Sequence, residues 1–421
     1  MRDRRYALGG ALALFLACCS LPWVGLWNPN GVADTGLYSL YGIRMAHGLV
    51  PYRNFFIEFP PGALPALVVP ALPGSHYVEW FKIFEALCGA GTIVCLWTIL
   101  ARLRVSDRST YIALGLAAVA PAALGPITLN SFDYWPALLT TAAIAALVAN
   151  REKTGFALLG VATAAKLFPA GLLALALLFW IRRHGRHTLR GALLSYVVAV
   201  VAVFAPFAIL GPGGLRFSLR TQISRGLQLE SFGASLLATA HHFGAYHAHY
   251  TPNLAYAQFS GGLASAVATI STVVMVAAIA LVAWLYYRTA GEPSDFVNAA
   301  AATVVAIIAF AKVLSPQYLL WLVAVVAAAS VRRKIAAPLL LCILGLTQIW
   351  VPDRFAALQD LDWVTWVLLA RNLLLVTLFA VLAAELRAGA VAAGSAAART
   401  RPPRERPGLR RARSRGRDRT A

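Results

Sequence analysis

The chain has 421 residues, of which 59% are apolar and only 13% are charged, and its mean hydropathy is +0.68. Soluble domains are closer to half apolar and a quarter charged, so this composition excludes an ordinary soluble protein and indicates an integral membrane protein. The formal net charge is +20, and clusters of Lys and Arg mark the cytoplasmic ends of membrane spans.

Apolar windows bounded by such clusters predict an all-α membrane protein with about twelve transmembrane helices and both termini in the cytoplasm. Eight of the predicted spans are single helices: Tyr6–Trp27, Tyr77–Leu103, Tyr111–Thr128, Trp135–Arg151, Gly191–Leu210, Gly261–Tyr287, Ile335–Trp350 and Trp363–Leu386. Two more apolar segments have cations at both ends, which requires an even number of crossings. These segments are 155–180 and 296–330.

Each of these two segments contains a lysine and a proline near its centre. The first has the run AKLFP around Lys166, and the second has AKVLSPQY around Lys312. Proline interrupts a helix, and a lysine inside an apolar run must face protein or water rather than lipid. We therefore predict two short broken hairpins, each with its break at the lysine.

The span pattern divides the chain into a transmembrane unit, residues 1–386, and a tail, residues 387–421. All long loops are predicted outside, including a first outer loop at 28–76 and a long outer loop at 211–260. The tail contains eleven Arg against Glu405 and Asp418. Its composition predicts a disordered cytoplasmic segment attracted to anionic lipids, and the absence of stacking aromatics argues against nucleic-acid binding.

Few acids occur in the chain, and two of them, Asp34 and Glu58, lie in the first outer loop. The long loop adds Arg225 and Glu230, so these groups and the two break lysines are predicted to meet at the outer face. Asp34 is a candidate general base, but Asp is also a favoured helix N-cap. The lysines are candidate phosphate contacts, although both could simply reach toward the membrane interface.

The sequence contains no phosphate loop, no dinucleotide fingerprint and no H-E-x-x-H motif, so no cofactor and no metal is predicted. Asp360 and Asp362 have a spacing compatible with a divalent ion, yet acids are common at helix starts. The histidines between His241 and His249 have no carboxylate or cysteine at fixed spacing, which favours a polar interfacial loop.

Four stretches together resemble the C-type integral-membrane glycosyltransferases, in particular the polyprenyl-phosphate-mannose-dependent mannosyltransferases of glycosyltransferase family 87. They are Asp34 with the following GLYSLYG and HGLVPY, then EFPPG, then AAKLFP, and finally RGLQLESF with KVLSPQYLLW. They extend from Asp34 to Trp321. Thr35 follows Asp34, so a pattern of two adjacent acids is not met.

The resemblance implies transfer of a hexosyl unit, here taken as mannosyl, from a polyprenyl-phosphate sugar to a lipid-linked or cell-envelope glycan on the extracytoplasmic side of the plasma membrane. A lipid phosphate leaves as a stable anion, so one base is sufficient and no general acid is needed. Asp34 is the candidate for that base. Glu58 and Glu230 could position sugar hydroxyls or satisfy backbone amides at turns. The candidate substrate-binding residues are Lys166, Lys312, Arg225, Glu58, Glu230, Gln317 and Tyr52.

Two other classes of protein remain as alternatives. A transporter or flippase of lipid-linked sugars would also use broken helices and intramembrane lysines. Against it, inverted halves are not evident in the sequence, and the polar residues are predicted at the outer face. A non-catalytic scaffold is supported only by the Arg-rich tail. The expected partners are membrane lipids, the lipid-linked donor and a glycan acceptor.

Overall fold

The computed structural model describes residues 2–21, 34–253 and 256–399. The helices of the first half are α1 (Arg2–Ser20), α2 (Asp34–Ala46), α3 (Leu64–Val68), α4 (Tyr77–Arg102), α5 (Asp107–Leu124), α6 (Tyr134–Val148), α7 (Glu152–Ala165) and α8 (Leu173–His184). Those of the second half are α9 (Leu189–Leu210), α10 (Pro212–Ser224), α11 (Phe232–His242), α12 (Gly262–Arg288), α13 (Pro293–Phe310), α14 (Leu320–Ala329), α15 (Ala336–Gln348), α16 (Phe355–Gln359) and α17 (Val364–Arg399).

A small antiparallel sheet accompanies the helices. Its strands are β1 (Leu227–Gln228), β2 (Tyr250–Asn253) and β3 (Tyr256–Phe259), in the order β1-β3-β2. The protein is nevertheless predominantly helical, as the apolar composition predicts.

Five helices in the described part of the chain are long and apolar enough to cross a membrane, namely those at 77–102, 186–210, 262–288, 293–310 and 364–396. Five shorter apolar helices lie at 5–20, 61–71, 134–148, 316–329 and 336–348. The all-α membrane architecture is therefore confirmed, while a total of about twelve spans stays a prediction. The end predicted for the first span, near Trp27, lies outside the described residues.

Both predicted helix breaks are present. Helix α7 ends at Ala165, Lys166 is extended, and a 3-10 turn over Phe168–Leu172 leads into α8. Helix α13 ends at Phe310, and a 3-10 turn over Pro316–Leu319 leads into α14. Pro169 is the second residue of the first turn and Pro316 is the first residue of the second. Proline suits these positions because its fixed φ is helical and the missing N–H is not needed in the first turn of a helix.

The two long connections predicted as outer loops are folded elements with cores of their own. The first contains α2 and α3, whose buried side chains pack against Phe132 and Leu215. The second contains α10, the sheet and α11. The sheet and α11 pack against residues 350–368, whereas Leu215 of α10 packs in the core of the first connection. Their aromatic and aliphatic residues make this possible, although span prediction treats them only as gaps between apolar windows.

Helix α17 continues to Arg399, beyond the boundary predicted between the transmembrane unit and the tail, and the division at residue 386 stays a prediction. The alanine-rich run that follows Arg387 explains the extension, since alanine has the highest helix propensity. Residues 400–421 lie outside the described part of the chain.

Candidate active site

A cavity of about 420 Å³ lies where the two long connections meet the two helix breaks. Its polar and aromatic walls include Asp34, Tyr38, Glu58, Phe132, Lys166, Gln222, Arg225, Gln228, Lys312, Ser315, Gln317, Tyr318 and Trp321. Its apolar wall includes Leu167, Phe168, Met275, Ile279, Ile307 and Ile308. Residues of the two long connections and of the two helix breaks, which are far apart in sequence, therefore line one cavity.

Lys166 occupies a charged and aromatic enclosure. Its Nζ lies 2.6 Å from Oδ1 of the buried Asp133, which also accepts a 2.8 Å hydrogen bond from Trp321 Nε1. The rings of Tyr318, Phe132 and Trp321 lie 4.6, 4.7 and 5.1 Å from the same ammonium group. An ion pair and three cation–π contacts thus hold the charge in place. Because an ammonium group has three donors, the pair leaves others for a ligand.

The two helix breaks are joined through stacked rings. Phe168 from the first break stacks on Trp321 with a centroid distance of 3.9 Å, and Trp321 stacks on Tyr318 from the second break at 4.3 Å. Sequence analysis predicts both breaks but not their contact. The stack explains why each break is followed by an aromatic residue within a few positions.

In the EFPPG stretch, the backbone at Gly62 lies directly against the backbone at the end of α7. A Cβ at Gly62 would overlap the backbone of Ala164 and Ala165, immediately before Lys166. The carbonyl of Gly62 also accepts a 2.9 Å hydrogen bond from Trp135 Nε1. Only glycine allows the first connection to lie directly against the Lys166 break.

Asp34 is the first residue of α2 and lines the cavity, partly buried. Tyr38, one turn later, donates a 3.3 Å hydrogen bond to Asp34 Oδ2. Burial raises the pKa of Asp34 above its usual value, and the hydrogen bond from Tyr38 offsets part of this effect. A raised pKa makes the carboxylate a stronger base, as proton abstraction from a hydroxyl requires. Asp34 is also the acidic residue in the first turn of α2, where the helix dipole favours a negative charge, so a structural role at the helix start also fits.

Glu58 and Arg225 connect the two long connections at the cavity wall. Arg225 Nη2 lies 3.3 Å from Glu58 Oε2, and both side chains are largely buried. The Glu58 carbonyl accepts hydrogen bonds from Ser218 Oγ at 2.9 Å and Gln222 Nε2 at 2.8 Å. Burial raises the pKa of Glu58, whereas the Arg225 guanidinium lowers it. Helix α10 thereby holds the backbone of Glu58, and Arg225, directly after α10, pairs with its carboxylate.

Lys312 and Gln228 connect the second break to the sheet. Lys312 Nζ donates to the carbonyl of Ile223 at 3.1 Å. The Lys312 carbonyl in turn accepts a hydrogen bond from Gln228 N at 2.9 Å, which ties β1 to the second break. The Gln228 amide Nε2 donates to Glu230 Oε2 at 2.6 Å and to Ser315 Oγ at 3.0 Å. The second lysine is thus held by neutral groups.

The remaining predicted site residues have different positions. Gln317 lines the cavity. Glu230 is buried behind Gln228, and burial raises its pKa to about 7, although the Arg371 guanidinium and the Gln228 amide lower it. Tyr52 is not part of the cavity lining: its hydroxyl donates to the Phe59 carbonyl at 2.6 Å, and its ring packs on Phe207.

Sequence reasoning misses Asp133 as a site residue and treats its short loop only as a connection. The signal that could have found it is an acid at a predicted helix start in a chain with few acids. Its partner, Lys166, is 33 residues away in sequence. No local spacing rule joins the two, so the pair becomes visible only when α6 and α7 pack together.

The histidines and the Asp360–Asp362 pair have structural contacts. His242 Nε2 lies 2.7 Å from Thr365 Oγ1, and its ring stacks on Trp366. Asp362 Oδ1 accepts a hydrogen bond from Trp363 N at the start of α17. Within residues 2–21, 34–253 and 256–399, no three His, Cys, Asp or Glu side chains are grouped to hold a metal ion.

The fold and the cavity define a helical membrane protein with carboxylates, fixed cations and an apolar wall around one chamber. The profile of glycosyltransferase family 87 matches residues 56–316, which is more than half of the chain. The protein therefore belongs to glycosyltransferase family 87 and is a membrane glycosyltransferase. A search of the curated proteins finds no match to the chain.

The matched segment contains Glu58, Lys166, Arg225, Glu230 and Lys312. Asp34, Tyr52 and Gln317 lie outside it. The assignment of Asp34 as a site residue therefore depends on its position in the cavity and on its charge environment.

Proposed function

We propose that the protein transfers a mannosyl unit from a polyprenyl-phosphate sugar to a lipid-linked or cell-envelope glycan acceptor. The observation that carries this proposal is the shared chamber of Asp34, Lys166 and Arg225, bounded on one side by apolar residues of α12 and α13. A lipid phosphate needs cations for its head and apolar surface for its chain, and both are present there.

In the proposed reaction, the acceptor hydroxyl oxygen attacks the anomeric carbon of the donor sugar. The bond between that carbon and the phosphate oxygen breaks, and polyprenyl phosphate leaves as an anion. Asp34 takes the hydroxyl proton. Lys166, Arg225 and Lys312 stabilise the negative charge that grows on the phosphate, which is the largest electrostatic contribution expected in such a site.

The substitution Asp34→Asn tests the base directly. It keeps the size of the side chain and removes its proton affinity, so we expect kcat to fall about 10²–10⁴-fold. Donor binding is expected to persist, because Asp34 contacts the acceptor rather than the phosphate. The measurement is single-turnover transfer from radiolabelled polyprenyl-phosphate mannose by purified protein in nanodiscs, together with donor affinity.

The matched control is Asp360→Asn, which makes the same chemical change at an exposed position outside the cavity. We expect it to leave transfer unchanged. If Asp34 only stabilises the start of α2, asparagine replaces it well and turnover stays near wild type. A folded Asp34→Asn protein with wild-type turnover would remove Asp34 from the mechanism.

We infer that the chemistry takes place on the extracytoplasmic side. Arg182, Arg183 and Arg186 precede α9, and such a cluster favours the cytoplasm. Helix α9 is one of the helices long and apolar enough to span. One crossing then brings the connection 211–260 to the opposite side.

Cysteine labelling tests this orientation. In a background without the five native cysteines, His247→Cys is expected to react with an impermeant thiol reagent in intact cells. His187→Cys is expected to react only after permeabilisation. Both positions are exposed, so accessibility within the fold is matched. Labelling of His187→Cys in intact cells would reverse the orientation.

A further inference from the structure

The carboxamide of Gln228 has an unusual combination of contacts. The side chain is only 5% exposed and lines the cavity. Its Nε2 donates to Glu230 Oε2 and to Ser315 Oγ, which uses both amide hydrogens. Its Oε1 is buried and has no hydrogen-bond partner among the described residues. A residue of the cavity wall therefore contains a fixed acceptor without a donor.

Glu230 determines which end of the amide is unpaired. Burial raises the pKa of Glu230 to about 7, so above that pH the group is ionised, only accepts hydrogen bonds and requires the NH₂ group of Gln228 to face it. Glu230 is itself anchored, because its carbonyl accepts from Arg371 Nη2 at 3.1 Å and from Asn372 Nδ2 at 3.3 Å. The backbone of Gln228 is fixed as well, by β1 pairing with Gln258 and by the Lys312 carbonyl. The oxygen thus has little freedom to find another partner.

The chemistry of a lipid-linked sugar identifies the group that suits this oxygen. An ionised phosphate ester accepts hydrogen bonds only, and a prenyl chain neither donates nor accepts. Sugar hydroxyls are the donors of such a molecule. A buried unpaired acceptor costs about 1–3 kcal/mol, so a hydroxyl that pairs with it is strongly favoured over a hydrogen atom in the same place.

We propose that Gln228 recognises one hydroxyl group of the transferred sugar through its carboxamide oxygen, and that Glu230 is a positioning residue that fixes the orientation of this amide. This inference rests on the proposed function for the identity of the ligand. It assigns a specificity role to a residue that takes no part in proton transfer.

The experiment compares farnesyl-phosphate mannose with each of its monodeoxy analogues. Affinity and kcat/KM are measured for the full chain in nanodiscs. With the wild-type protein, we expect one analogue to bind about tenfold to a hundredfold more weakly than the parent, as loss of one hydrogen bond in a site built for it predicts. With Gln228→Ala, this penalty should disappear for the same analogue and stay unchanged for the others.

Two further variants separate recognition from structure. Gln359→Ala removes a carboxamide in α16, outside the cavity lining, and should keep the wild-type pattern. Glu230→Gln should weaken the discrimination among the deoxy analogues while leaving Gln228 in place. The Gln228 carboxamide can then rotate and exchange the positions of its oxygen and nitrogen. If Gln228→Ala fails to fold, Gln228→Asn, which withdraws the oxygen by one methylene, provides the same comparison.

The outcomes are distinct. A penalty that persists in Gln228→Ala, or a uniform loss for all donors, would overturn the assignment and leave an ordered water as the partner of the oxygen. Position-specific binding without any sugar transfer would support Gln228 as a sugar contact and count against the proposed reaction.

Discussion

The two helix breaks have similar sequences and different surroundings. In each, a lysine precedes a proline by three or four residues, and an aromatic residue follows nearby. Lys166 is paired with the buried Asp133 and surrounded by three rings. Lys312 donates to a neutral carbonyl, and its backbone is held by Gln228.

This difference shows that a break sets the position of a lysine while its neighbours set its role. The Lys166 charge is neutralised in the fold and held at a fixed point, as a group that stabilises developing charge requires. The Lys312 charge is less constrained and can follow a ligand. We therefore expect the first break to depend on ion pairing and the second on hydrogen bonds between neutral groups.

The largest effect is expected from breaking the ion pair. Asp133→Asn leaves the Lys166 ammonium without its carboxylate in a largely buried place, which should lower the free energy of unfolding by about 3 kcal/mol. Lys166→Met in the Asp133→Asn background should cost much less than in the wild type. The measurement is a double-mutant cycle on thermal unfolding of purified protein.

Lys312→Met is the matched control for this cycle. Because it removes only a contact with a carbonyl, we expect a change below about 1 kcal/mol and no coupling to Asp133. Additive effects of Asp133→Asn and Lys166→Met would show that the two side chains do not act as a pair, and the distinction between the breaks would be lost.

A smaller effect is expected from Gly62→Ala. The added methyl group meets the backbone of Ala164 and Ala165, so the first connection must move away from the Lys166 break. Overpacking of this kind typically costs about 1–3 kcal/mol, and displacement of Lys166 should also lower kcat/KM. Gly36→Ala in α2 is the control, because a Cβ there meets no atom within 4 Å; it should be neutral or stabilising. Equal stability and activity of both variants would contradict the close approach.

The sequence predicts the class of the fold and both breaks, because apolar length, charge flanks and proline act locally. It also brings Asp34, Glu58, Lys166, Arg225 and Lys312 to one predicted face, and the cavity contains all five. It does not predict Asp133 or Trp321 as partners of Lys166. Those contacts depend on how α6, α7 and α14 pack, which side-chain periodicity does not specify. Tyr52, in contrast, is predicted as a site residue but lies outside the cavity lining. An aromatic side chain suits a buried structural contact as well as a contact with a ligand.

The smallest effect concerns how the free energy of unfolding depends on pH through Glu230, which lies next to the second break behind Gln228. Burial raises the pKa of Glu230 from 4.5 to about 7 in the fold, despite the opposing effects of Arg371 and Gln228. Between these two values the folded protein holds a proton that the unfolded chain has lost, so stability falls as pH rises. From pH 6 to pH 7 this group should account for a loss of about 1 kcal/mol.

Asp34 and Glu58 also have raised pKa values and contribute with the same sign, so the Glu230 part is isolated as the difference between wild type and Glu230→Gln. Thermal unfolding measured at both pH values should therefore show a smaller decrease for Glu230→Gln than for the wild type. Equal decreases would mean that Glu230 ionises normally in the fold, and that the Gln228 amide faces a full carboxylate throughout this range.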